Sequence, residues 1–236
     1  MKRLVIMQPY LFPYIGYFQL MKAADEFVVY DNIEYTKKGW FNRNRILVNG
    51  KDSFITFPLR KGSDFLHVND RFLSDTWSEE RIKLLNRIKE SYRKAPYFSD
   101  TVSLIEDIIL FSEQNLFAFT YNSLIKLKDY LNLNCTLIVS SDIPIDHSLK
   151  SEDKVIAICK QRGADIYINP SGGVELYDKA RFNTEGISLN FLFPSEIKYI
   201  QFNNEFVPWL SIIDVLMFNS RDHIIDLMIK DYILKN

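Results

Sequence analysis

The sequence predicts an α/β fold with a mostly parallel, Rossmann-like sheet, and three observations indicate this class. Short apolar runs alternate with helical patterns along most of the 236 residues, as they do in βαβ proteins. The N-terminal part already predicts strand, helix and strand within about 30 residues, the length of one βαβ unit. Asn49-Gly50 lies between two further apolar runs and is a strong signal for a β-hairpin.

The first elements follow from apolar runs and from the prolines that interrupt them. We expect a buried strand over Arg3 to Met7, because the proline two residues later ends the run. A second proline suits the first turn of a helix, which we place at 15–24. Phe27 to Tyr30 is the second buried strand, and the hairpin then pairs 42–48 with 53–58.

Helices dominate the middle of the chain. Residues 60–76 have the composition of a loop, and helices are predicted at about 77–93, 98–111 and 114–131. We interpret these helices as a layer or insertion at about 77–131 within a single α/β domain that spans 1–236.

The C-terminal part returns to the alternation of strands and helices. Strands are predicted at 136–139, 166–169 and 187–193. Ser151 and Gly163 suit the two ends of a helix between the first two of these strands. Two more helices, at about 208–219 and 221–234, are expected to complete the fold.

Composition narrows the possible function classes. The chain has 29 basic and 30 acidic residues and a formal charge of -1, so its bulk charge does not predict DNA binding. Its two cysteines, Cys135 and Cys159, are too few for a disulfide framework or a zinc site, which favours a cytoplasmic location. No apolar stretch reaches the roughly 18 residues that a membrane span needs, so no transmembrane segment is predicted.

The first candidate segment, residues 8–17, lies between the first strand and the first helix. In open parallel sheets, ligands bind at the carboxyl ends of the strands, often over a helix N-terminus. We therefore expect Gln8, Tyr10, Tyr14 and Tyr17 to contact a substrate. Packing of these aromatic rings against a neighbouring helix is the alternative.

The second candidate segment follows the second strand and concentrates cations, amides and a tryptophan. Its candidate residues are Asp31, Lys38, Trp40, Asn42, Arg43, Asn44 and Arg45. On a strand, the two asparagines share one face and the two arginines share the other. An arginine fork on that face suits a phosphate or a carboxylate. The alternative is an exposed edge strand whose charges deter aggregation.

Two further features complete the candidates. The turn Ser171-Gly172-Gly173 follows a predicted strand and forms either an anion-binding nest or a simple turn. Asp214 stands in the most apolar helix of the chain, where a catalytic role or a structural hydrogen bond explains a carboxylate. Because 8–17, 31–45 and 169–173 all follow strands of one parallel sheet, we expect them to converge on one pocket.

Several catalytic signatures are missing from the sequence. It has no P-loop, no Gly-x-Gly-x-x-Gly, no Gly-x-Ser-x-Gly and no His-Glu-x-x-His motif. The three histidines fall in unrelated contexts, and no metal site is predicted.

The same segments resemble a known family. Met7-Gln8-Pro9-Tyr10 followed by Phe12-Pro13-Tyr14-Ile15-Gly16-Tyr17 resembles the opening of the WbqC-like protein family. The resemblance continues through Phe27 to Asp31, Lys38 to Arg45, Tyr92 to Phe98, Tyr167 to Tyr177 and Leu210 to Asp214. Members of the family are associated with gene clusters for O-antigen and other surface polysaccharides. The resemblance therefore implies a role in lipopolysaccharide or related synthesis, and a glycine transferase activity has been proposed for the family.

The N-terminal layout also resembles that of nucleotidylyltransferases, whose first turn carries a His-x-Gly-His motif. Tyr14 and Tyr17 stand at the two histidine positions. A phenol is neutral at pH 7 and does not neutralise phosphate as those histidines do, so this departure weakens the case for ATP. The tyrosines either replace that site or only pack.

We therefore predict a cytoplasmic transferase that acylates an amino sugar on a nucleotide-sugar, with glycine as the acyl group that the resemblance suggests. Acyl transfer to an amine needs an activated carboxyl, a neutral amine and hydrogen-bond donors for the oxyanion. The candidates are Lys38, Arg43 and Arg45 for a diphosphate, Asn42, Asn44 or the 172–173 backbone for the oxyanion, and Asp31 or Asp214 for the amine proton.

The sequence leaves the activated donor and the alternatives to catalysis open. ATP, an acyl thioester and an aminoacyl-tRNA are all compatible with it as the source of the acyl group. The alternative function is a non-catalytic module that binds a sugar nucleotide or glycan in a polysaccharide assembly complex. A structural partner of a glycosyltransferase is a third hypothesis, which predicts an exposed apolar patch and no polar pocket. The sequence also leaves the oligomeric state open, and a homodimer is compatible with it.

Overall fold

A six-stranded sheet lies at the centre of the molecule, which a computed structural model describes over residues 1–63 and 65–236. The strands of the described chain are β1 (Arg3–Met7), β2 (Glu26–Val29), β3 (Arg43–Val48), β4 (Lys51–Thr56), β5 (Thr136–Val139), β6 (Ile166–Pro170), β7 (Ser188–Pro194) and β8 (Tyr232–Lys235). The order across the central sheet is β5-β2-β1-β6-β7-β8, and its neighbouring strands are parallel except for β7 and β8. The predicted α/β class with a mostly parallel sheet is confirmed.

β1 lies inside this sheet because its side chains are apolar on both faces. Leu4, Val5 and Ile6 are buried, and Val5 pairs with Phe27 on one side and Ile168 on the other. Continuous apolar runs of this kind are typical of parallel strands that are covered on both faces.

Helices cover the sheet and share its core. In the described chain they are α1 (Ile15–Ala23), α2 (Trp77–Tyr92), α3 (Phe98–Ile109), α4 (Leu116–Tyr130), α5 (Ser151–Arg162), α6 (Lys179–Thr184), α7 (Ile212–Phe218) and α8 (Arg221–Asp226). Helices α2 to α4 correspond to the predicted helical segment. Their side chains Leu85, Ile105 and Leu124 belong to the same buried cluster as Val5 of the sheet. The helical layer is therefore packed on the sheet through one continuous core.

β3 and β4 form the predicted hairpin, separate from the central sheet. Val48 pairs with Lys51, which leaves Asn49 and Gly50 as a two-residue turn. Both turn residues have positive φ values, 51° and 75°. A tight hairpin turn needs this conformation, and asparagine and glycine adopt it with little strain. The hairpin prediction is confirmed.

The C-terminal end differs from the predicted helix at 221–234. Only Arg221–Asp226 is α-helical, and Tyr232–Lys235 is a strand that pairs antiparallel with β7. An apolar run this short fits a helix or a strand equally well on local grounds. The edge of β7 offers unpaired N–H and C=O groups, and pairing with that edge decides the outcome.

The helix predicted at 208–219 also begins later than expected. It starts at Ile212, where the Ser211 side chain accepts a hydrogen bond from the Ile213 N–H as an N-cap. The residues before it are irregular, and Trp209 has a positive φ of 59°. This loop carries Trp209 to the functional site described next.

Candidate functional site

Two adjoining cavities lie at the carboxyl ends of β1 and β6. The chain leaves β1 toward β2 on one side and leaves β6 toward β7 on the other, so the strand order reverses between these neighbours. Such a switch point is where open α/β sheets bind ligands. The cavities have volumes of about 340 and 310 Å³ and share Met7, Tyr10, Pro170 and Gly172 in their walls. Together they are called the cleft below.

The larger cavity, the Trp cavity, is lined by all three segments that the sequence singled out. Its wall includes Tyr10 and Tyr14 from the first, Trp40, Asn44 and Arg45 from the second, and Ser171 and Gly172 from the third. Trp209 adds a second indole from the loop before α7. The structure therefore brings the three loops together at one edge of the sheet.

The smaller cavity, the Tyr cavity, is rich in phenols. Gln8, Asn169 and Gly173 line it together with Tyr10, Tyr30, Tyr167 and Tyr177. Burial raises the pKa of Tyr10 and Tyr177, and it raises the pKa of Tyr30 to about 12. These phenols keep their protons at neutral pH, and the Tyr10 hydroxyl donates to the Gln8 side-chain oxygen at 3.2 Å.

Arg45 is the cation among the described residues that line the Trp cavity. Its guanidinium donates to the Asp52 carboxylate over 3.0 Å and to the Trp209 carbonyl over 3.3 Å, and it lies 5.9 Å from the centre of the Trp40 ring. Its buried Nε has no hydrogen-bond partner. Because this Nε has almost no accessible surface, an anionic ligand would instead meet the Nη groups and exchange with the partly exposed Asp52.

Lys38 and Arg43 do not join Arg45 in the cleft. Arg43 shares a face of β3 with Arg45, as predicted, but its Nε donates to the Gly39 carbonyl at 3.1 Å and its Nη2 donates to the Lys38 carbonyl at 2.7 Å. The Arg43 fork therefore holds the loop before β3, and its guanidinium packs 4.9 Å from the centre of the Phe54 ring. The exposed Lys38 lines neither cavity. The predicted clamp of three cations is not assembled in this structure.

Asn42 and Asn44 use their amides to hold loops. Asn42 donates to the Phe57 carbonyl at 2.7 Å and accepts from the Tyr35 hydroxyl at 3.0 Å. Asn44 donates to both carbonyls at positions 11–12, each at 2.9 Å. These contacts tie the hairpin to the first segment. A catalytic role for Asn42 stays a prediction, and its contacts are those of a positioning residue.

In the first segment, Tyr14 reaches the cleft and Tyr17 does not. Tyr17 is fully buried, and its hydroxyl donates to the Gln8 carbonyl at 2.9 Å. Tyr17 therefore holds the turn through this hydrogen bond and does not face the cleft, which agrees with the alternative that this ring only packs. Gly16 lies beneath the Tyr14 ring, which a Cβ at that position would overlap. This close approach explains why glycine is present in the helix.

The glycine-rich turn starts a 3-10 helix, Ser171–Leu176. A Cβ on Gly172 would meet no atom within 4 Å, whereas a Cβ on Gly173 would overlap the Asn169 amide. Asn169 in turn accepts a hydrogen bond from the Tyr167 hydroxyl at 3.2 Å. Gly173 is therefore required by the wall of the Tyr cavity, while Gly172 leaves space for a ligand.

Asp31 is buried at the carboxyl ends of β2 and β5 and accepts four hydrogen bonds. They come from the Ser140 hydroxyl at 2.7 Å, the Ser141 N–H and hydroxyl at 2.9 and 2.7 Å, and the Asn69 amide at 2.8 Å. Burial alone raises the pKa of this carboxyl, but these donors outweigh burial and hold the pKa below its ordinary value. So weak a base is poorly suited to take a proton from an amine. A base role for Asp31 stays a prediction.

Asp214 is fully buried on α7, and it is not among the residues that line the cleft. Its oxygens accept from the hydroxyls of Tyr92 and Tyr199 and from the Gln201 amide, each at 2.7 Å. The Tyr92 hydroxyl also accepts from the Leu47 N–H at 2.8 Å. Burial raises the pKa of Asp214, although the three donors lower it. The network joins α7 to α2 and the hairpin, and a catalytic role for Asp214 stays a prediction.

The sequence did not identify Trp209, Tyr30, Tyr177 or Lys154 as site residues. Trp209 comes from a distant loop, and no local pattern marks it. Tyr30 directly follows β2, so its place at a strand end was the available signal. Lys154 is buried on α5, where its Nζ lies 4.9 Å from the centre of the Tyr30 ring and burial lowers its pKa. Its Nζ donates to the His147 carbonyl at 3.3 Å, and Lys154 is not among the residues that line the Tyr cavity.

The described residues contain no group of three His, Cys, Asp or Glu that could hold a metal ion. Cys135 and Cys159 are buried and unpaired, and burial raises the pKa of these thiols to about 11 and about 12. Such thiols are protonated at neutral pH and are poor nucleophiles. Across the same described ranges, no helix combines the length and the apolarity that crossing a membrane requires.

Comparison with known proteins establishes the family. Residues 8–225 match the WbqC-like protein family, and the chain belongs to it. The Mycobacterium tuberculosis protein named "Uncharacterized protein Rv1507c" is similar, with 28% identity over 223 residues that make up 93% of this chain and 94% of that protein. No solved structure matches the chain. The resemblance found in the sequence is therefore confirmed at the level of the family.

Proposed function

We propose that this WbqC-like protein is a cytoplasmic transferase of surface polysaccharide synthesis that acylates the amine of a nucleotide-linked sugar in the cleft. A glycyl group is the first candidate for the acyl group. The observation that carries the proposal is the cleft at the switch point between β1 and β6, where an arginine, two tryptophans and several tyrosines line adjoining cavities. Small-molecule sites combine mostly apolar walls with a few polar groups in this way.

The Trp cavity supplies the contacts that a sugar nucleotide needs. Arg45 offers a cation to a phosphate oxygen, which would take the place of the exposed Asp52 carboxylate as its partner. Trp40 and Tyr10 provide aromatic faces for a sugar ring or a base, and Tyr10 adds a hydroxyl. Ser171 and Asn44 are further polar residues in the lining of this cavity. We assign the phosphate to Arg45 and the sugar to the shared part of the cleft.

The transfer step needs positioning and oxyanion donors more than a strong base. The amine nitrogen bonds to the acyl carbon, the bond from that carbon to the leaving group breaks, and the amine proton passes to the leaving group. The protonated phenol of Tyr30 is suited to donate to the developing oxyanion, and that of Tyr10 can do so by giving up its bond to the Gln8 side chain. We assign Asp31 a positioning role, because its low pKa makes it a weak base.

The acyl group arrives already activated in this proposal. Both cysteines are buried and protonated, so an acyl-cysteine intermediate is not part of it. An acyl phosphate formed with ATP, a thioester and an aminoacyl-tRNA each carry a leaving group that accepts the amine proton. These three donors are the ones to test.

Calorimetry with UDP-glucosamine, followed by a turnover assay, tests the proposal. We expect UDP-glucosamine to bind, and we expect mass spectrometry to detect an N-glycyl product with one of the three activated donors. Glycine without activation is the control and should give no product. Failure of UDP-glucosamine and of other nucleotide-linked amino sugars to bind would contradict the proposal.

A non-catalytic sugar-nucleotide binding module is the second candidate. The observation that favours it is that neither predicted carboxylate base, Asp31 or Asp214, lines the cleft. Tight binding of UDP-glucosamine without turnover with any of the three donors is the result that selects this function over the transferase.

A further inference from the structure

An apolar chamber lies beside the Trp cavity and shares two aromatic residues with it. Tyr14 and Trp209 line both spaces, and their rings meet edge to face with centres 5.8 Å apart. The chamber has a volume of about 120 Å³, and its other walls include Ile15, Ile197 and Val215. The two contacting rings therefore form the wall that the chamber and the Trp cavity share.

The walls of the chamber are held in place from behind. The Tyr199 hydroxyl donates to the buried Asp214 at 2.7 Å, and the Phe206 ring packs against the Tyr199 ring with centres 5.2 Å apart. Besides the tyrosine hydroxyls and the Trp209 indole N–H, the described lining carries polar side chains only at Ser195 and the exposed Glu196. The chamber is thus a preformed apolar space that lacks a buried charge.

Trp209 marks the boundary between the chamber and the Trp cavity. It is 58% exposed, and its φ of 59° is a left-handed conformation that is costly for a residue with a side chain. Its carbonyl accepts a hydrogen bond from Arg45 at 3.3 Å, which connects the strained turn to the cation of the Trp cavity. Strained residues of this kind are typical of ligand sites. The exposed indole is therefore placed where a ligand would cover it.

We propose that the ligand of the cleft carries an apolar group of about four to seven carbon atoms, and that this group displaces the exposed Trp209 side chain and fills the chamber. An apolar cavity of about 150 Å³ holds benzene, so a chamber of similar volume sets this size. The inference rests on the proposed function in one respect, because it assigns the apolar group to the acyl donor. A glycyl group does not fill the chamber, so this inference adds a short aliphatic or aromatic acyl group to the acyl groups to be tested beside glycyl.

Toluene is the probe for the chamber itself. We expect calorimetry to show binding to the wild-type protein and binding about tenfold weaker or less to Ile197→Trp, whose added ring area fills the space. Ile200→Trp is the matched control, because Ile200 is three residues along the same loop, is 82% exposed and lies outside the chamber lining. The control should bind toluene as the wild type does.

A series of carboxylates tests the link to an acyl group. Acetate, butyrate and hexanoate should displace toluene with an affinity that rises about fourfold per methylene until the chamber is full. Ile197→Trp should flatten this series, and Ile200→Trp should leave it unchanged. If Ile197→Trp fails to fold, Ile197→Ala replaces it, and the enlarged chamber should then favour butylbenzene over toluene by several-fold.

The outcomes separate this inference from the proposed function. Absence of toluene binding, equal binding by Ile197→Trp and the wild type, or a flat carboxylate series overturns the chamber assignment. UDP-glucosamine binding in the same preparation then shows that the proposed function survives without it. The opposite result is toluene binding without any binding of nucleotide-linked amino sugars. It would support the chamber assignment and contradict the proposed function.

Discussion

Replacing Asp214 with alanine is expected to destabilise the protein strongly, because the carboxylate is the acceptor for several buried donors. The Tyr92 and Tyr199 hydroxyls and the Gln201 amide each donate to it at 2.7 Å. The Gln201 amide also donates to the Val207 carbonyl at 3.1 Å and so keeps one acceptor. In the alanine variant the two hydroxyls therefore lose the acceptor that the structure shows for them.

The expected cost follows from those two hydroxyls. A buried donor left unpaired costs about 1–3 kcal/mol, so Asp214→Ala should lower the free energy of unfolding by about 2–6 kcal/mol. In a chain of this length, 1 kcal/mol corresponds to roughly 2–4 °C in Tm. A fall in Tm of about 10 °C lies in the middle of the expected range.

Thermal and urea unfolding measure this cost, and two tyrosine variants calibrate it. Tyr199→Phe removes one donor without leaving it unpaired and should cost about 1 kcal/mol. Tyr92→Phe should cost more, because the Leu47 N–H loses the acceptor that lies 2.8 Å away. An Asp214→Ala protein within about 1 kcal/mol of the wild type refutes the structural reasoning. A stable Asp214→Asn protein that binds UDP-glucosamine without turnover restores the catalytic role.

Three further predictions concern the cleft and its surroundings. Arg45→Gln should weaken UDP-glucosamine binding by about tenfold or more, because a charge-assisted hydrogen bond contributes about 1.5–3 kcal/mol, while Arg43→Gln should change affinity by less than about threefold. Calorimetry on both variants checks this, and equal losses would remove the distinction between the two arginines. Gly173→Ala should lower Tm and ligand affinity, because its Cβ overlaps a neighbouring amide, and Gly172→Ala should leave Tm unchanged. A normal Tm for both alanine variants contradicts the packing argument. Asp31 has a pKa held below its ordinary value, so its stabilising effect is present above the unfolded pKa of about 3.9 and is lost as pH falls through the folded pKa. The Tm difference between wild type and Asp31→Asn should therefore be largest near pH 7 and should shrink below about pH 4, and a pH-independent difference would argue against this linkage.

The strands and the hairpin could be predicted because their signals are local. β1 and β2 are apolar on both faces, so burial of each run does not depend on its partner. Asn49-Gly50 sets the hairpin turn through the conformations that those two residues adopt easily. The C-terminal strand β8 lacked such a signal. Its run suits two structures, and only the free edge of β7, far away in the sequence, selects one.

The position of the candidate site could be predicted for a similar reason. The carboxyl ends of parallel strands lie on one edge of a sheet whatever side chains follow them, so the loops after β1, β2 and β6 were expected to meet. In the structure, residues from these three loops line the cleft together.

Tertiary structure alone decided which polar side chains line the cleft and which ones hold neighbouring loops in place. Arg43 and Arg45 are equivalent in the sequence pattern, yet Arg43 binds carbonyls of its own loop while Arg45 lines the Trp cavity. Asp214 could be recognised as a carboxylate that needs partners, but the tyrosines that supply them lie on other elements. A side chain serves a ligand when it lines the cleft and its internal partners are exposed enough to be exchanged, as the Asp52 partner of Arg45 is. The partners of Asp214 on α2 and in the loop before α7 lie far from it or outside its helix, so no local pattern identifies them. The sequence by itself therefore determined where the candidate site lies, and the folded structure decided which residues line it.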